Sequence, residues 1–458
     1  MGKKVLVSLA LVLSLLLPST SVSAAPTSTD LLGNSIAAAA RHDFLNQLAK
    51  SSKRSANLEF QVDPQFNSSL KREVLIETQV SAGFWSHVRP IDQKVKVYVS
   101  PTNNMKYIYD RMWPTLDANG RFGNWLQVKM AKAKADKGLF GGGAPAYDKN
   151  NNPVFMMFAP NNMSLGNGFW TSSTAHEFTH VIQRYIMHGD FAPIYGWMLE
   201  GQADYIGANL GTRNSDKAFA SFWAQLIQSV KHNTKHPEML HWNATQFEAW
   251  FKKQEITQAP SENYKGDVAT EIYVFGAVAL QYLYGAYGFD AVTSLYDNLA
   301  KIAMAKCPSA DVGKYPQCTT ARHEAFEKSF GISLDAFYKK VSAHIVQEIK
   351  WSKVTVGKLP KNLLKIAPAA WAKTAIQKPY VSPPGLGVIE PYSNPLPAIG
   401  VDGGSGTQLA DTYPPNVPAP NRTCPTDGLQ ATLYGASMTC VKGVWVLDLG
   451  QKIVQRTP

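Results

Sequence analysis

Ser173-Thr-Ala-His176-Glu177-Phe-Thr-His180-Val-Ile182 and, after it, Gly196-Trp-Met-Leu-Glu200-Gly-Gln-Ala-Asp204 carry the densest chemistry in this sequence. In the first stretch two histidines stand four residues apart. One helical turn places both imidazoles on the same face. Imidazole nitrogen is a ready ligand for zinc, and a catalytic zinc site uses three protein ligands so that water or a substrate oxygen can take the fourth position. Glu177 follows the first histidine and stands beside that open position, where a carboxylate can take a proton from bound water and later hand it on. The expected third ligand is Glu200, on the next helix, which faces the pair if the two helices pack antiparallel. Asp204 lies one turn further along the same face and is expected to accept the outer N–H of His176, because a ligating imidazole is usually fixed by a carboxylate or carbonyl. The expected cofactor is therefore one Zn2+ per chain. The bland alternative is a solvated helix that happens to carry this spacing, with Glu200 and Asp204 as an ordinary acidic pair.

Upstream of the histidines the pattern is mixed. Leu70, Val74, Ile76, Val80 and Phe84 recur at roughly helical spacing within Gln65 to Trp85, which predicts an amphipathic helix. Val95, Val97 and Val99 alternate in Lys94 to Ser100 and predict a strand. A second strand is predicted over Val154-Phe-Met-Met-Phe158, bracketed by Asn/Pro turn signals. Between them, Gly138-Leu-Phe-Gly-Gly-Gly-Ala144 lacks the Lys-Ser/Thr of a phosphate-cradling loop and reads as plain loop. Downstream, helices are expected at about 172 to 188, 197 to 210, 216 to 230, 268 to 285, 289 to 303 and 334 to 350. A small mixed sheet thus precedes a helical half.

At the N-terminus, Met1-Gly-Lys-Lys precedes an apolar run from Val5 to Leu17, and Val22-Ser-Ala24 fits a signal-peptidase site. The run is too short for the ~20 residues a membrane span needs. A secreted product is expected, with residues 1–24 as signal peptide and no stable membrane insertion. The formal charge of +11 falls to +9 once Lys3 and Lys4 leave. The lysines are scattered, and Lys129 to Lys137 reads as a solvated helix face, so no nucleic-acid partner is expected. Cell-wall or cell-surface association remains open. With 458 residues and 45% hydrophobic composition, the chain can fill a large core. The 4 cysteines fall into two local pairs, Cys307 with Cys318 and Cys424 with Cys440, for which two disulfides are the natural inference in an exported chain. The expected division is 25–60 as an N-terminal segment or possible propeptide, 61–351 as the main domain, 352–421 as a Pro/Gly-rich linker and 422–458 as a small Cys-paired module, with a strand at Val444 to Leu447.

At His176-Glu-x-x-His180 and Glu200-Gly-x-Ala-Asp204 the chain resembles the glutamate-zincin metallopeptidases, the group with thermolysin and the zinc aminopeptidases, and more closely its peptidase-MA-like members. The likeness covers roughly residues 60 to 350, and its specificity lies in five positions. It implies an α+β, zincin-like catalytic domain with a small mixed sheet and a helical subdomain, and zinc-dependent hydrolysis of a protein or peptide substrate. It also implies that a strand before the histidine helix forms the sheet edge over the cleft. Val154 to Phe158 is the expected edge, pairing with extended substrate through backbone hydrogen bonds. Thr270-Glu-Ile-Tyr273-Val-Phe-Gly276 is similar to the helix that presents a catalytic tyrosine in the group's aminopeptidases, which implies Tyr273 as an oxyanion donor. Tyr264, Tyr282 and Tyr284 are its rivals, and packing is its alternative role. The Gly-Ala-Met-Glu-Asn block that captures a free N-terminal amine is missing, so an endopeptidase is expected. Two other readings stay in play: a non-catalytic wall-associated binding protein on this scaffold, and a zinc hydrolase of non-peptide amides.

Overall fold

The computed structural model describes residues 29–51, 57–112, 130, 142–148, 152–160, 169–187, 194–233, 236–257, 270–306, 316–359, 428, 430–433, 436–441 and 444–447. The expected signal peptide, nearly all of the Pro/Gly-rich linker and most of Lys129 to Lys137 lie outside those residues. The fold is mixed α/β and mostly helical. After one turn at Thr29–Leu32 come α1 (Ser35–Ala49), α2 (Ser68–Ser86), α3 (Lys106–Met112), α4 (Phe169–Ile186), α5 (Gly196–Gly211) and α6 (Asp216–Gln228). Then follow α7 (Ala244–Thr257), α8 (Thr270–Tyr287), α9 (Phe289–Asn298), α10 (Pro316–Phe330) and α11 (Leu334–Gly357).

Strands β1 (Leu58–Val62), β2 (Val95–Pro101), β3 (Gly142–Tyr147) and β4 (Pro153–Ala159) make one sheet in the order β1-β2-β4-β3. The first two and β4 are parallel, and β3 runs antiparallel to β4. Alternation sorts the side chains by face. Val95, Val97, Val99, Phe155, Met157 and Ala159 enter the main core, while Tyr98, Val154, Met156 and Phe158 face Ile108, Tyr109 and Met112 of α3. The expected cleft edge at Val154 to Phe158 is corrected here: β4 is an inner strand, and its unbroken apolar run fits burial on both faces. The edge strands are β1 and β3, and β3 is formed in part by the glycines read as loop. Pro145, which cannot donate to a ladder, is tolerated on an edge strand.

Helix α4 lies against this sheet, with Phe178 edge-on to Phe155 at 5.6 Å between ring centroids. Helix α5 packs along α4, and α8 packs on α5 at van der Waals contact between backbones. A Cβ on Gly201 would fall 2.2 Å from the carbonyl carbon of Gly276, and one on Gly276 would fall 2.4 Å from the Trp197 carbonyl oxygen. Only glycine permits that approach, and it sets Tyr273, one turn before Gly276, against the histidine helix.

The expected boundaries near residues 60 and 351 are not breaks in the fold. Strand β1 runs across the first, α1 buries Ala37, Ala40 and Phe44 in the main core, and α11 continues to Gly357. Towards the C-terminus, β5 (Gln430–Leu433), β6 (Ala436–Val441) and β7 (Val444–Leu447) form an antiparallel sheet in that order, with β7 at the expected strand. Cys318 and Cys440 each belong to a disulfide, and the cysteine expected to pair with each, Cys307 and Cys424 respectively, lies outside the described residues.

Candidate metal centre

Helix α4 presents His176 and His180 on one face, and α5 presents Glu200 to both. The Nε2 atoms of the two histidines are 3.1 Å apart, His180 Nε2 is 3.1 Å from Glu200 Oε2, and His176 Nε2 is 3.4 Å from the same oxygen. All three residues are buried. Ligands at the usual zinc distance of about 2.0–2.1 Å in a tetrahedron would be about 3.3 Å from one another. The triangle already has that size.

The outer ring nitrogens decide what this triangle means. His176 Nδ1 is 2.6 Å from Asp204 Oδ1, as expected from the spacing on α5. His180 Nδ1 is 2.7 Å from Gln183 Oε1, a partner not among the expected residues. The Gln183 amide cannot be turned round: its Nε2 donates to the Leu199 carbonyl and to Gln202 Oε1, both at 2.9 Å, and Gln202 Nε2 donates to the Tyr284 hydroxyl at 3.0 Å. Its oxygen must therefore face His180. Both imidazoles thus carry their proton on Nδ1 and aim a lone pair at the Glu200 carboxylate. Three acceptors converging in a buried space need a cation between them. In a chain without metal that cation is a proton. Burial disfavours a charged His176, but the Asp204 and Glu200 carboxylates outweigh it and hold the imidazole well above its ordinary range. Burial likewise opposes an ionised Glu200, and the two imidazoles win, holding its carboxyl below the usual carboxylate range.

Glu177 is half-buried and points to the sheet, where its Oε1 accepts the backbone N–H of Gly143 on β3 at 3.1 Å. A Cβ at residue 143 would lie 2.7 Å from Glu177 Cγ and 2.6 Å from the Met156 carbonyl oxygen, so the strand approaches this closely only as glycine. Tyr273 lies with its ring nearly parallel to that of His176, 12° between planes and 5.8 Å between centroids. Of its rivals, Tyr284 is buried and engaged by Gln202, Tyr282 packs beside Phe337 and His344, and Tyr264 lies outside the described residues. All six residues expected from the sequence are thus brought together, and Gln183, Gln202 and Gly143 join them. Gln183 had a legible signal, being a lone amide one turn past His180 in an apolar run. Comparison with protein-family models, with curated proteins and with solved structures finds no match to this chain.

Proposed function

We propose that this chain is an exported zinc-dependent metalloendopeptidase of the glutamate-zincin kind. The observation that carries the reading is the convergence of His176 Nε2, His180 Nε2 and Glu200 Oε2 at zinc-ligand spacing, with both outer ring nitrogens already committed to Asp204 and Gln183. A zinc ion bound there supplies Lewis acidity, polarising a carbonyl oxygen and lowering the pKa of water. The remaining steps belong to the chain's own residues. Glu177 takes a proton from the attacking water and delivers it to the leaving amine, for which a carboxylate one residue past a ligand is well placed. Tyr273, stacked beside His176, donates to the oxyanion as the carbonyl becomes tetrahedral. An extended peptide laid along β3 adds a strand to the sheet edge, which moves the substrate-pairing role from β4 to β3.

In the test, hydrolysis of casein is lost on chelation and returns with added zinc. Full activity in the presence of chelator contradicts the metal's role. Hydrolysis of small non-peptide amides without casein cleavage would favour the non-peptide reading.

A further inference from the structure

Residues 29–49 precede every element the metal centre requires, and sequence alone leaves them open as a propeptide. Their contacts bind them into the body. Phe44 stacks on Phe84 of α2 with centroids 5.0 Å apart. Asn34 accepts the Ala37 N–H as the cap of α1 and donates its own amide to Glu348 of α11 at 2.6 Å. Asp43 Oδ2 accepts the N–H of Phe289, the first residue of α9, at 2.7 Å.

Arg41 makes the most specific of these contacts. It is fully buried, and every nitrogen of its guanidinium is used. Nε donates to Asp216 Oδ1 at 3.0 Å, Nη1 to the Asn209 carbonyl at 3.2 Å and to Asn209 Oδ1 at 3.0 Å, and Nη2 to the Thr212 carbonyl at 3.0 Å. The cation also sits 4.6 Å from the centroid of the Phe219 ring. Carbonyls at the end of a helix have no partner within it and must be capped from outside. Here the capped helix end belongs to α5, which carries Glu200 and Asp204, and the same guanidinium ties it to the first residue of α6. A planar fork serves three directions at once, which an ammonium cannot reproduce.

We infer that residues 29–49 stay with the active protein as a strut instead of leaving as a propeptide, and that Arg41 is a positioning residue that fixes the C-terminal end of the ligand-bearing helix. The positioning half rests on the proposed metal centre, and the retention half does not. Intact mass and N-terminal sequencing of the active protein recovered from culture medium test retention. The N-terminus is expected before Thr29, and an active species that begins after Arg41 overturns it. Zinc dissociation constants of folded Arg41→Ala, Arg41→Lys and Phe44→Ala, measured beside urea unfolding of the metal-free proteins, test positioning. Arg41→Ala should bind zinc about 10-fold more weakly, the scale seen when groups behind metal ligands are removed. Arg41→Lys should fall between it and the parent. Phe44→Ala should lose stability while its zinc affinity stays within about 2-fold, since it removes packing and a 6.0 Å ring contact with Arg41 but leaves the hydrogen bonds of the guanidinium in place. If Arg41→Ala does not fold, Asp216→Asn gives the milder version, and it should weaken zinc binding by less than Arg41→Lys but measurably. Parent-like zinc affinity in the Arg41 and Asp216 variants, or an equal loss in Phe44→Ala, overturns the positioning role. A parent protein that binds no zinc sinks the metal centre and the positioning role with it, while the N-terminus still decides retention.

Discussion

The candidate site has two walls of different construction. On the helical wall, α4 and α5 hold the proposed ligand atoms, and each histidine has a named partner behind it: Asp204 for His176, and Gln183, backed by Gln202 and Tyr284 of α8, for His180. On the sheet wall, β3 meets Glu177 with main chain alone, through one N–H and the space left by a missing Cβ. On the proposed function, ligand geometry and base geometry are thus secured separately. Substitutions on one wall should alter zinc affinity, and those on the other should alter turnover.

The largest effect is expected on the sheet wall. Gly143→Ala forces β3 and Glu177 apart, and a displacement near 1 Å at a reacting group can cost about 100-fold in rate. A loss of that size in kcat, with zinc content held, is the expected outcome. Turnover within 2-fold of the parent would erase the distinction between the walls. On the helical wall, Asp204→Asn and Gln183→Leu should each weaken zinc binding by about 10- to 100-fold. Asp204→Asn should be the more severe, because a carboxylate raises imidazole basicity and an amide does so less. Unchanged affinity in both, by competition with a chelating dye, would show that the outer partners are incidental.

The smallest effect concerns the helical body behind that wall, where ionisable groups are buried and pH should therefore be felt. Burial pushes the Glu348 carboxyl from its usual 4.5 up to about 7, against hydrogen bonds from Trp223 and Asn34. The folded state then holds this proton more tightly than the unfolded one, so the contribution is complete below about pH 4.5 and is lost as pH rises through about 7. Burial acts the other way on His344, lowering it from 6.5 to about 4, so its contribution is complete above 6.5 and is lost as pH falls through about 4. Glu348→Gln should flatten the decline of stability above about pH 5, a change on the order of 3 kcal/mol at pH 8 relative to pH 5. An unaltered slope in urea unfolding across that range would contradict the assignment.

The helical wall was the legible one. A helix fixes the relation of residues three and four apart, so His176, His180, Glu200 and Asp204 could be placed from their spacing before any tertiary contact was known. The sheet wall was illegible for the converse reason. Gly142-Gly-Ala-Pro-Ala-Tyr147 has no β-branched residue and includes a proline, and it becomes a strand because β4 lies beside it. The same physics hid α10, whose buried side chains include the small Cys318, Ala321 and Ala325. It also hid α7, in which Phe247, Trp250 and Phe251 are interleaved with polar residues, and α1, whose alanines read as a featureless small-residue stretch. Long-range contacts such as Gly201 with Gly276 leave no periodic signal.

The proposal of zinc held by His176, His180 and Glu200, with Glu177 as the base, stands or falls on one paired measurement. Zinc content and casein hydrolysis are determined on the mature protein and on Glu177→Gln, both purified without chelators. About one zinc per chain is expected in each, with hydrolysis by the parent and none above background by the variant. Equal hydrolysis by the two, or no zinc in either, would contradict it.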